Sequence, residues 1–128
     1  MSRSFLSIAA AMLFSATTIA LAAEDHGHVA KHGGLVQESG HHHIELVAKD
    51  GSLELYVEGE NGAPEDVAAA QATAVVLSDG KKHDVALTAA AGGHLKGAGD
   101  FKAVKGTTIV VTLTMPGHAP EQARFKLD

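Results

Sequence analysis

Gly40-His41-His42-His43-Ile44-Glu45-Leu46-Val47 sets three imidazoles in a row at the head of an alternating stretch. If that stretch is a strand, successive side chains point to opposite faces. His43 and Glu45 then share one face, and Ile44 and Leu46 share the other. Imidazole with carboxylate is a donor set for Zn(II), Cu(II), Ni(II) or Co(II). The expected metal ligands here are His41, His43, Glu45 and, across a hairpin, Glu58. His32 joins them if the preceding segment folds back. His42 lies on the Ile44 face and is expected to be partly buried. The competing reading makes His41 to His43 strand-edge residues in water, whose ion pairs contribute little.

Nine histidines occur without a single cysteine, in a chain of formal net charge −5. Absence of cysteine excludes thiolate zinc sites, disulfides and cysteine nucleophiles. An acidic balance argues against a nucleic-acid partner, which needs a basic patch. No Gly-x-Ser-x-Gly, His-Glu-x-x-His or Walker-type loop is present, so an enzyme is not expected. His83, His94 and His118 each stand alone near a turn or loop and read as ordinary surface residues.

The elements that must position these groups follow from pattern. Residues 1–22 have the three parts of a secretory signal: Arg3, an apolar run from Phe5, and Ala20-Leu21-Ala22 before the cut. Export to the periplasm is expected, with no membrane span left in the mature chain. Residues 23–33 lack apolar periodicity and read as a flexible arm bearing His26, His28 and His32. Cleavage before Glu24 rather than Ala23 would make His26 the third residue, a position suited to square-planar Cu(II) or Ni(II). The arm could also act alone as a metal or proton buffer.

Residues 34–128 read as one all-β domain. Gly34 to Glu38 suggests a short first strand. His42 to Ala48 and Ser52 to Gly59 form a hairpin about Asp50-Gly51. Pairing Lys49 with Ser52 sets Ala48, Leu46 and Ile44 against Leu53, Leu55 and Val57, and sets His43 against Glu58. Glu65 to Gln71 reads as an extended crossover. Strands are expected over 72–78 and 83–88. A two-residue turn between them would oppose Val75 to Asp84 and Leu77 to Lys82, so a longer or bulged connection is expected. Residues 89–99 read as a loose glycine-rich segment, and Asp100 to Ala103 as a short strand. Thr107 to Met115 and Glu121 to Leu127 complete the set. About seven strands at this spacing argue for a single antiparallel β-sandwich of the immunoglobulin-like kind.

His32-Gly33-Gly34, His42-x-x-Glu45-Leu46-Val47, Leu53-x-Leu55-Tyr56-Val57, Pro116-Gly117 and Ala123-Arg124-Phe125 occur in that order. In this the chain resembles small exported proteins, and accessory domains of periplasmic adaptor proteins, from heavy-metal efflux systems of the resistance-nodulation-division type. The likeness runs from about His32 to Leu127. The chain lacks the helical hairpin, lipoyl and barrel segments of a whole adaptor. The resemblance implies a periplasmic role in metal homeostasis or efflux. Its implied partners are a metal ion and a periplasmic efflux adaptor protein. Two functions follow: divalent transition-metal binding, or non-catalytic docking on an adaptor assembly.

Overall fold

The computed structural model describes residues 29–128. Its organising hairpin joins β2 (His42–Lys49) to β3 (Ser52–Gly59). The register is the expected one: Lys49 faces Ser52, Leu46 faces Leu55, Ile44 faces Val57, and His43 faces Glu58. Ile44, Leu46, Leu53, Leu55 and Val57 are all buried, and a one-residue slip would turn every one of them outward. Gly51 takes φ 72 in the turn, the left-handed conformation that glycine adopts without strain.

Six further strands surround this hairpin: β1 (Leu35–Ser39), β4 (Gln71–Ser78), β5 (Lys81–Ala90), β6 (His94–Ala98), β7 (Thr108–Thr114) and β8 (Glu121–Lys126). They form an antiparallel sheet in the order β1-β2-β3-β6-β5-β4-β7-β8. Among the described residues there is no helix long and apolar enough to cross a membrane. Ten-residue β5 links two halves, pairing with β4 along Lys81–Leu87 and with β6 along Thr88–Ala90. At the other extreme the two outer strands approach each other, and the Ser39 hydroxyl donates to the Gln122 carbonyl at 2.8 Å. The sheet thus nearly closes on itself around one core that includes Leu95, Ile109, Val111, Leu113 and Phe125.

Three expectations change. β4 and β5 are joined by a two-residue turn, with Asp79 at φ 50 and Gly80 at φ 70. Two positive φ values in succession define the type I′ hairpin turn, whose twist matches that of strands. Val75 does oppose Asp84, and Leu77 opposes Lys82. The core face is the other one, where Ala72, Ala74, Val76 and Ser78 are buried and Leu77 is 46% exposed. Second, the glycine-rich stretch contains a strand, β6, with Leu95 wholly buried. Gly97 is needed there because a side chain would strike the Ala86 carbonyl of β5. Third, Asp100 to Ala103 is not a strand. The segment is tied to the β2–β3 turn, with Gly51 N–H donating to the Phe101 carbonyl at 3.0 Å and Ala103 N–H to Asp50 Oδ1 at 2.8 Å.

Candidate functional site

Histidine and carboxylate meet repeatedly on and around the β2–β3 hairpin, in two settings. The first is the outer face of the hairpin. His43 and Glu45 lie there together, as alternation requires, and residues 31–34 cross over them. Glu45 is 7% exposed. Its Oε1 accepts the backbone N–H of His32 at 2.7 Å and of Gly34 at 2.9 Å. Its Oε2 accepts the Lys31 backbone N–H at 3.0 Å and the His32 ring Nδ1–H at 2.9 Å. A carboxylate offers about four lone-pair sites, so this one is fully used. Burial alone would raise the carboxyl's pKa. The N–H groups of Gly34, the His32 ring, His32 and Lys31 outweigh it and hold the pKa below the ordinary value. Gly34 has to be glycine, because any side chain would run into the Leu46 carbonyl.

The rest of this face is also paired. Lys31 Nζ lies 2.6 Å from Glu58 Oε1 and donates to the Gly62 carbonyl at 3.1 Å. His43 Nδ1 lies 3.6 Å from Glu38 Oε1. The His32 ring stacks flat on Tyr56, with centroids 3.5 Å apart, and Tyr56 stacks on His94 at 4.9 Å. His94 Nε2 in turn lies 3.8 Å from Glu54 Oε1. Burial first, and then the Glu54 charge, raise the Tyr56 hydroxyl's pKa.

The second setting is an open cleft of about 620 Å³ at the end of the sheet where β1 turns into β2. Ser39 pairs with His42 across a two-residue turn whose first position is Gly40 at φ 57. Glycine in that place is the type II′ pattern. The turn lifts His41 off the strand face and sets it beside Glu60, Nδ1 to Oε1 at 2.9 Å. Each partner stabilises the charged form of the other. The hydrogen bond and charge of Glu60 raise the His41 pKa, and the hydrogen bond from His41 lowers that of Glu60.

His42 begins β2 on its inward face, one step beyond the core residue Ile44, and is 5% exposed. Its Nδ1 lies 2.8 Å from Glu121 Oε2. An edge-on contact at 5.3 Å joins its ring to that of His118. His118 is placed by a tight turn in which its N–H donates to the Met115 carbonyl at 3.1 Å across Pro116 and Gly117 (φ 77). Proline followed by glycine is the type II turn preference. Glu65 and Asp66 of the crossover also line the cleft, and buried Met115 lies against it.

The expected ligands therefore divide. His32, His43, Glu45 and Glu58 share the covered face, His41 stands in the cleft, and His26 and His28 lie outside the described residues. Among the described residues no group of three or more His, Asp or Glu side chains stands ready to hold one metal ion. Sequence reasoning missed Glu60, His118 and Glu121 in the cleft, and missed His94 on the face. Only the Pro116-Gly117-His118 turn carried a local signal, and that signal specified a turn and not its neighbours. Compared with known proteins, the chain matches no family model, no curated protein and no solved structure.

Proposed function

We propose that this chain is an exported periplasmic protein that binds a divalent transition metal, with a role in heavy-metal homeostasis or efflux, and that it is not an enzyme. One observation supports this above the others. Five histidines, His32, His41, His42, His43 and His94, each have a ring nitrogen within 4 Å of a carboxylate oxygen. In His32, His41 and His42 that nitrogen is Nδ1, at 2.8–2.9 Å; a carboxylate there holds the proton on Nδ1 and leaves the Nε2 lone pair for a metal, the arrangement commonly found behind metal-ligating histidines. Zn(II), Cu(II), Ni(II) and Co(II) all suit such nitrogen and oxygen donors. On this reading His32, His41 and His43 serve as ligands, joined by His26 and His28 of the arm, while Glu45 and Glu58 hold the arm in place. We also read the two half-sheets that meet at β5 as a sandwich of the immunoglobulin-like kind.

Isothermal titration with each of the four metals tests the proposal. Stoichiometric binding reversed by EDTA is expected. Uptake no tighter than that of unstructured histidine peptides would remove metal binding from consideration. The second reading, docking on an efflux adaptor, draws on the outer strands β1 and β8, which approach each other with no ladder joining them. Exposed strand edges recruit extended partners. A docking module would hold its adaptor equally well after EDTA, whereas a metal-dependent one would release it.

A further inference from the structure

We propose that the cleft beside the β1–β2 turn is itself a transition-metal site, with His42 and His118 as its primary ligands, His41 completing it, and Glu121 and Glu60 orienting them. This rests on the metal-binding reading and gives it a place away from the His43–Glu45 face.

Geometry is the first support. A metal–imidazole nitrogen bond is about 2.0–2.1 Å, so two imidazoles at a tetrahedral angle on one ion have ring centroids about 5 Å apart. The rings of His42 and His118 are 5.3 Å apart. That separation matches the spacing a shared ion would require. The second support is orientation. His42 is 5% exposed, and its Nδ1 is committed to Glu121 at 2.8 Å. That bond fixes the tautomer and leaves Nε2 as the ligating nitrogen. Gly40 enforces the arrangement, since a side chain there would displace the Glu121 carboxylate.

Adaptability is the third support. His41 and His118 are exposed, so His41 can turn from Glu60 toward an ion at little cost. Glu60, Glu65 and Asp66 line the cleft and provide negative charge that attracts and neutralises a cation. The covered face lacks this freedom: Glu45 has no lone pair to give, and Glu58 is engaged by Lys31. Imidazole-dominated donors with carboxylate and no thiolate favour Zn(II) or Cu(II) over Mg(II) or Ca(II).

The test compares Zn(II) and Cu(II) titrations of the full chain with three variants. These are His41→Ala/His118→Ala, which alters two exposed side chains, Glu121→Gln, and a control, His94→Ala, on the other face. Thermal melts confirm that each is folded. The double cleft variant should lose the tight site. Glu121→Gln should weaken it about 10- to 100-fold, the usual effect of losing a carboxylate behind a ligating histidine. The His94→Ala variant should bind as the parent does. Substoichiometric Cu(II) should also broaden the imidazole proton signals of His42 and His118 in the parent before those of His83 and His94. Parent-like binding by both cleft variants, or early broadening elsewhere, overturns the cleft while leaving metal binding intact. An absence of tight binding in the parent overturns both.

Discussion

Glu45 and Glu121 both accept a hydrogen bond from a histidine Nδ1, yet they do opposite work. Glu45 also accepts three backbone N–H groups from residues 31–34, so its charge is spent on fastening the chain. His42 is the one side chain hydrogen-bonded to Glu121 among the described residues, and the histidine it holds faces an open cleft. The same pair of residue types is thus a clamp on one side of the hairpin and a positioning device at its end. What separates them is where the carboxylate's remaining lone pairs go.

The sharpest way to break this contrast is to empty the clamp. Glu45→Ala removes the acceptor for four N–H groups. Residues 31–34 can then peel away into water, which limits the cost, so a loss of about 2 kcal/mol is expected by denaturant or thermal melting. Amide exchange at Lys31, His32 and Gly34 should become unprotected at the same time. Gly34→Ala attacks the clamp from the other side. Its new methyl meets the Leu46 carbonyl, a backbone group that cannot rotate aside, and about 1–2 kcal/mol is the expected loss.

Acid should do reversibly what Glu45→Ala does permanently. The folded carboxyl pKa lies below its ordinary value, so the clamp's contribution is complete above the unfolded-state pKa. It declines as pH falls through the folded one. Protection of the Lys31, His32 and Gly34 amides should therefore persist at neutral pH and vanish in acid, while the β4–β7 ladder stays protected. Equal loss in both regions would mean that acid unfolds the whole molecule and not the clamp. The smallest effect belongs to the cleft. His41 and Glu60 are both exposed, so solvent screens their pair, and Glu60→Gln should leave the thermal melt indistinguishable from that of the parent. A measurable loss would show that the cleft, like the clamp, is built for stability.

How far these regions could be read from sequence follows from how different their two faces are. On β2 and β3 one face is aliphatic and the other bears His43, Glu45, Glu54 and Glu58, so only one register was possible and it was the observed one. On β4 the run Val75-Val76-Leu77 is apolar on both faces, and the small residues Ala72, Ala74 and Ser78 turned out to face the core. Small side chains are chosen there for fit, which hydropathy does not register. Strand β6 was hidden for the same reason, since Gly97 is a close-approach residue that reads as a loop residue. Within the site, His43 against Glu58 was legible because a two-residue turn fixes it. His42 against Glu121 was not, because 79 positions separate them and only the near closure of the sheet joins them.

Strand β5 has a consequence for how the molecule fails. Its first seven residues belong to the ladder with β4 and its last three to the ladder with β6. The halves also share one core, in which Ile44, Leu55 and Leu95 belong to the same cluster as Val76, Ile109 and Phe125, so neither can detach without exposing apolar side chains of the other. There is no seam along which a protease or a pulling force could divide residues 35–126 into two surviving pieces. Melting should appear as a single cooperative step, and a cut within Lys81–Ala90 should cost the hairpin its order along with the strands on the far side.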